Sequence, residues 1–333
     1  MLPTISGDLP SYVLSLFELC EREQVSDLHL EPSGKNYRIR LRQEGRLKIF
    51  TELPFSFAEG MLHHLKILSQ NNGAENRRPQ DGRITGKNIR VSFCPTALGE
   101  KCVLRFLQTG IKTLALSHLG FLPEQLEAVY QALQKPQGLI LITGPTGSGK
   151  SLTLYSMLSH LNVPEKNLMT IEDPIEISLP GLTQTQVNLE IGLDFSDLLR
   201  SVLRQDPNIL MIGEIRDEKT AKMAIKASQT GHLVLATLHA NSALESLPRL
   251  ENLGVDRFNL TCSISLMLAQ RLVKKIEGGR CALFEVVPMS PALKEAYLAQ
   301  RPLPTPTLSL KDHGLTLVSQ GLISAEEVTH VCL

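Results

Sequence analysis

Residues 138 to 156, "GLILITGPTGSGKSLTLYS", constrain this chain more than any other stretch. An apolar run enters a glycine-rich turn that closes on Lys150 and Ser151. Gly144, Pro145, Thr146, Gly147, Ser148, Gly149, Lys150 and Ser151 satisfy G-x-x-x-x-G-K-S/T at every position, and Leu152 carries on into a helical pattern. Each residue type has a physical task. Glycines let backbone N–H groups turn inward around phosphate oxygens, and the helix start adds partial positive charge. The Lys150 ammonium can reach β and γ phosphates, and the Ser151 hydroxyl can ligate Mg2+. At ordinary residue usage a chance match in this length arises about once in a hundred. The stretch predicts a strand, a phosphate-binding loop and a helix in succession.

Beyond the loop the chain repeats that alternation. "NLMTIED", "NILMIGE" and "GHLVLATLH" are apolar strand patterns, and "FSDLLRSVLR" and "EKTAKMAIKASQ" are helical ones between them. Strands separated by helices argue for a largely parallel sheet covered on both faces. Residues 243 to 333 read as mainly helical.

The first hundred residues differ. Segment 11–24 has one apolar helical face, and 58–70 also reads as helix. In "YRIRLRQEGRLKIF", Arg38, Arg40 and Arg42 alternate with Ile39 and Leu41, and Glu44-Gly45 offers a turn, which predicts a hairpin with an arginine-lined face. "DGRITGKNIRVSFCPTALGEKCVLRFL" adds strands broken at Gly and Pro. The expected organisation is a small α+β domain over 1–108, a linker over 109–122 and a larger α/β domain over 123–333, with Pro123 opening a helix.

In open α/β sheets ligands sit at the carboxyl ends of the strands. Glu214 follows the apolar "NILMIG" there and can orient a metal's water shell. Glu172, Asp173 and Glu176 crowd around Pro174 after "NLMTI"; Glu172 is the expected handler of an attacking water, with Asp173 equally able to cap the turn. His239 lies at the productive end of "GHLVLATLH", where an imidazole can sense a γ phosphate.

Composition prunes the partners. Lys plus Arg equal Asp plus Glu at 34 each, so no overall field draws the chain to nucleic acid or anionic lipid. Aromatics are 5% with no Trp, too few for base-stacking grooves, so nucleic acid contact is not expected. Six scattered cysteines contain no C-x-x-C pair, and no apolar run reaches the roughly 18 residues a bilayer demands. A cytoplasmic protein, at most peripheral to a membrane, is expected. There is no N/T-K-x-D guanine reader and no S-G-G transporter signature, which leaves ATP as the expected nucleotide.

"GLILITGPTGSGKSLTLYS", "TIEDPIE", "LRSVLRQDPNILMIGEIRD", "TGHLVLATLHANSALESLPRL" and "LAQRL" resemble, in order, the Walker A, Asp box, Walker B, His box and trailing motifs of the secretion ATPases of type II secretion and type IV pilus systems. "SDLHLEP", "RIRLRQEGRL", "RRPQDGRI" and "PTALGEKCVLRFL" extend the resemblance over about residues 25–330. It implies a RecA-like P-loop NTPase domain preceded by the smaller α+β domain. It further implies a homo-hexameric motor that hydrolyses ATP with Mg2+ and works on an inner-membrane platform protein. By motif, Lys150 and Ser151 take phosphate and Mg2+, Glu214 the Walker B role, Glu172 the water and His239 the His box role. Arg40, Arg42, Arg78 and Arg83 become candidates for the γ phosphate. Where assembly and secretion members often carry a four-cysteine module, "AQRLVKKI" passes straight to "EGGRCALFEV", so no zinc is expected. "LHLEP", "PQDGR" and "GLISAEEV" point to the assembly branch serving a pilus, a competence pseudopilus or a secretion pseudopilus. A retraction ATPase and a nucleotide-gated scaffold are the alternatives.

Overall fold

In the computed structural model, which describes residues 8–43, 45–84, 86–106 and 114–332, the chain divides into two compact units, Met1–Ile111 and Lys112–Leu333. Glu44 of the expected turn and residues 109–113 of the expected linker lie outside the described residues.

The first unit runs α1 (Leu9–Arg22), β1 (Asp27–Ser33), β2 (Asn36–Gln43), β3 (Arg46–Pro54), α2 (Phe55–Leu68), β4 (Gln80–Ile84), β5 (Ile89–Thr96) and β6 (Gly99–Phe106). Its strands form an antiparallel sheet in the order β3-β2-β1-β6-β5-β4. Alternation splits that sheet in two chemically. Leu28, Leu30, Ile39, Leu41, Val91 and Leu104 share a core with Phe17, Met61 and Leu65 of the helices. The other face is charged.

The second unit begins with α3 (Pro123–Leu133), where Pro123 occupies the first turn and the Gln125 side chain accepts from the Leu122 N–H at 3.1 Å. Then come β7 (Gly138–Thr143), α4 (Lys150–Leu161), β8 (Leu168–Glu172), β9 (Thr183–Gln186), α5 (Phe195–Val202), β10 (Ile209–Ile212), α6 (Glu218–Gln229) and β11 (Leu233–Leu238). The chain closes with α7 (Ser246–Asn252), α8 (Arg257–Ser263), β12 (Ile264–Lys274), β13 (Arg280–Pro288), α9 (Pro291–Leu298), α10 (Leu310–Ser319) and α11 (Ala325–Cys332). The sheet order is β13-β12-β7-β11-β10-β8-β9, parallel throughout except for the β12–β13 pair.

Strand β7 is buried at all six positions because both faces are covered. Leu139 and Leu141 point into the core made with α5, α6 and the C-terminal helices, while Ile140 and Ile142 meet α3 and α4. The mainly helical tail expected after residue 243 is a correction: β12 and β13 occupy 264–288. Seven consecutive buried residues open β12, so it shows no period-2 signal to separate it from a buried helix. Leu116, Leu119 and Phe121, placed by sequence in the linker, are buried in the second unit, with Phe121 stacked on Phe284 at 3.8 Å between centroids.

Candidate nucleotide site

The carboxyl ends of β7, β8, β10 and β11 lie side by side in the second unit, and each delivers one element of the site. From β7 the chain enters the loop 144–149. Gly144, Gly147 and Gly149 take φ of +146°, +80° and +87°, which L side chains rarely adopt. Nothing fills the space beside Gly147, and the buried Ser148 hydroxyl has no hydrogen-bond partner among the described residues. Lys150 folds its ammonium back on the loop, donating to the carbonyls of Gly144 at 2.7 Å and Pro145 at 3.0 Å. Burial lowers the Lys150 pKa, opposed by the charges of Glu214 and Glu176. An oxyanion supplies the partner the Ser148 hydroxyl lacks and a counter-charge for the Lys150 ammonium, so the loop fits phosphate. Pro145 and Thr146 are exposed at its tip, and Ser151 and Leu152 open α4, half-buried.

From β10, Glu214 receives Arg216 at 2.7 Å and faces His239 Nε2 at 3.1 Å. Arg216 also reaches Asp173 at 3.4 Å, tying the segments after β8 and β10 together. Asp217 caps α6 by accepting from the Thr220 N–H at 2.9 Å. His239 is half exposed beside an open cavity of about 490 Å3 lined by Gly144, Pro145, Asn241, Glu245 and Arg249. His232 lies at the opposite end of β11, its Nδ1 3.1 Å from the Ala227 carbonyl.

Glu172 departs from expectation. Its residue is 3% exposed and its carboxylate is turned inward: Oε2 accepts from the Tyr155 hydroxyl, and Oε1 accepts from Thr170 at 2.5 Å and Gln184 at 3.0 Å. A carboxylate with three internal donors is not presented to an attacking water. Glu176, four residues on, is exposed, and its charge acts on Lys150.

Sequence reasoning passed over two residues of β12. Gln270 and Arg271 extend one and two residues beyond the β7 pairing, which ends at Ala269 and Thr143, and so stand against the loop. The buried Gln270 side chain accepts from Thr153 of α4 at 2.9 Å. Arg271 donates to the Asn241 carbonyl at 2.8 Å, joining the loop after β11 to the same strand. "LAQRL" marked the place without a role, since its partners are remote in sequence, Thr153 by 117 residues from Gln270 and Asn241 by 30 from Arg271. Gly144 is where this bracket closes: an added Cβ would stand 2.5 Å from the Gln270 backbone oxygen. Gly144→Ala is therefore expected to weaken nucleotide binding by about tenfold or more with the fold retained, readable by titration with a fluorescent ADP.

Arg40, Arg42, Arg78 and Arg83 belong to the first unit. Arg40 pairs with Glu31 at 2.7 Å and Arg42 with Asp27 at 3.4 Å, so the arginine face carries its own counter-ions. Burial alone would raise the Glu31 carboxyl, but hydrogen bonds from Arg40 and Lys101 hold it down at about 2. Arg78 and Arg83 are exposed.

A phosphate-binding loop between an inner strand of a parallel sheet, β7, and the helix that follows it, α4, defines a P-loop NTPase fold. The chain belongs to the type II/IV secretion system protein family, whose model matches residues 9–282. It is 48% identical over 272 residues to the type IV pilus assembly ATPase PilB of Acinetobacter baylyi, an alignment covering 80% of this chain and 47% of that one. To the protein transport protein HofB homolog of Haemophilus influenzae it is 41% identical over 340 residues, covering 95% and 71%. The crystal structure of the pilus retraction motor PilT with bound ADP superposes with a TM-score of 0.71 at 25% identity, covering 96% of each chain. The chain thus spans about half the length of the first of these relatives. No helix among the described residues is long and apolar enough to cross a membrane.

Proposed function

We propose that this chain is the ATPase of a type IV pilus, competence or type II secretion assembly machine, binding ATP at loop 144–149 and coupling its hydrolysis to movement. The observation that carries the reading is that Lys150 and the Glu214–His239 pair stand with a glycine-turned loop at the carboxyl ends of four adjacent strands, with the Glu176 charge acting on Lys150. Relatives at 41–48% identity named for pilus assembly and protein transport support the assembly side over retraction.

In this reading the loop N–H groups and the Ser148 hydroxyl receive the phosphates, and the Lys150 ammonium leaves the Gly144 and Pro145 carbonyls for phosphate oxygens. Ser151 and Glu214 would hold Mg2+, which supplies charge neutralisation on the phosphates when bound. Glu176, not the inward-turned Glu172, takes the proton of the attacking water as the β–γ bridging bond breaks to give ADP and phosphate. His239, paired to Glu214, reports loss of the γ phosphate to the chain beyond β11. Six copies form a ring on a membrane platform protein at the inner face of the cell membrane.

The purified protein should form a hexamer by light scattering and release phosphate from ATP at least about tenfold faster than from GTP. No phosphate release above a protein-free blank at saturating ATP and Mg2+ would overturn the reading.

A further inference from the structure

Helix α4, which begins at the phosphate loop, carries a second functional atom five residues beyond Lys150. Tyr155 is 1% exposed, and its hydroxyl donates to Glu172 Oε2 while accepting from the backbone N–H groups of Glu176 at 3.2 Å and Ile177 at 3.4 Å. One donor and two lone pairs are all a phenol has, and each is used. Burial, then the bond to Glu172, raises the Tyr155 pKa, so the hydroxyl stays a donor throughout the physiological range.

The same hub gathers the rest of the acidic segment. Gln184 of β9 donates through its side-chain NH2 group to Glu172 Oε1 at 3.0 Å and to the Ile177 carbonyl at 2.8 Å, and its oxygen accepts from the Leu179 N–H at 2.8 Å. The segment from Asp173 to Leu179 is thus held by Tyr155 and Gln184, joined by Gln186, which accepts from the Ile175 N–H at 3.3 Å, and by Arg216 on Asp173. Only Tyr155 comes from the helix that bears Lys150 and Ser151.

We propose that Tyr155 is a positioning residue: it fixes the segment carrying Glu176 to the helix of the phosphate loop, so that phosphate and water-handling carboxylate share one frame. This rests on the reading above, in which Glu176 handles the water. A packing role alone predicts no such thing, because removing one oxygen from an aromatic ring leaves the packing of α4 in place. A carboxylate displaced by about an ångström loses up to roughly a hundredfold in rate.

Tyr155→Phe tests it in the full chain. We expect kcat to fall roughly tenfold to a hundredfold, with KM for ATP and the dissociation constant of ADP within about twofold of wild type. Backbone amides of 175–179 should exchange with deuterium faster, while those of α4 keep their protection. Glu172→Gln combined with Tyr155→Phe should cost no more than the larger of the two single losses, since both open the same hub. An unchanged kcat in Tyr155→Phe, a proportional loss of nucleotide affinity, or losses that multiply in the double variant would each overturn the proposal. Should Tyr155→Phe not be recovered folded, Gln184→Met opens the hub from β9 under the same expectations. Lys150→Ala separates the two levels: if it hydrolyses ATP like wild type the ATPase reading itself fails, whereas an inactive Lys150→Ala beside a fully active Tyr155→Phe removes only the role of Tyr155.

Discussion

Lys150→Ala is expected to weaken ATP binding by about a hundredfold to a thousandfold and to leave no measurable turnover. The ammonium is a flexible charge folded back on the loop. Without ligand it is satisfied by two loop carbonyls, at 2.7 and 3.0 Å, and those bonds are of a kind it can exchange for phosphate oxygens at little cost. Two charge-assisted bonds to phosphate, at about 1.5–3 kcal/mol each, account for the expected loss. Stability should barely change, because water can replace the ammonium at the exposed Pro145. The checks are calorimetric titration with ATP and a thermal melt of the same preparation. ATP affinity within threefold of wild type would remove Lys150 from the phosphate site.

Much of this architecture is legible in the residues, and where legibility stops has a physical cause. The loop, its strand and its helix are local, so "GLILITGPTGSGK" carries them whole. The arginine alternation on β2 is local too, with Ile39 and Leu41 buried and the arginines on the other face. Its counter-ions are not, because Asp27 and Glu31 lie on β1 and meet Arg42 and Arg40 only through strand pairing. Strand β9, "TQTQ", escapes notice since its value is polar: Gln184 completes the hub on Glu172, and no apolar period announces it. Strand β12 is hidden for the opposite reason, being apolar on both faces. The acidic cluster after β8 is visible as chemistry, but which carboxylate faces in depends on Tyr155, seventeen residues earlier and on another element.

That last ambiguity yields the sharpest contrast between two neighbouring glutamates. Glu176→Gln should lower kcat by about a thousandfold while leaving ATP affinity and thermal stability near wild type, since the side chain is exposed and the exchange removes only its basicity. Glu172→Gln should do the reverse in proportion. Its amide places a donor against the donors arriving from Thr170, Gln184 and Tyr155, costing about 1–3 kcal/mol of stability, which in a unit of this size lowers the melting temperature by several degrees. Its kcat loss stays near the level of Tyr155→Phe, because it acts through the segment rather than on the water. Single-turnover hydrolysis and melting curves on the two variants separate the roles. If Glu172→Gln instead abolishes hydrolysis with its melting temperature intact, Glu172 turns outward during turnover and is itself the base. The hub would then be a latch that opens, and Glu176 would be left with a solvent-facing carboxylate whose charge on Lys150 has no part in the chemical step.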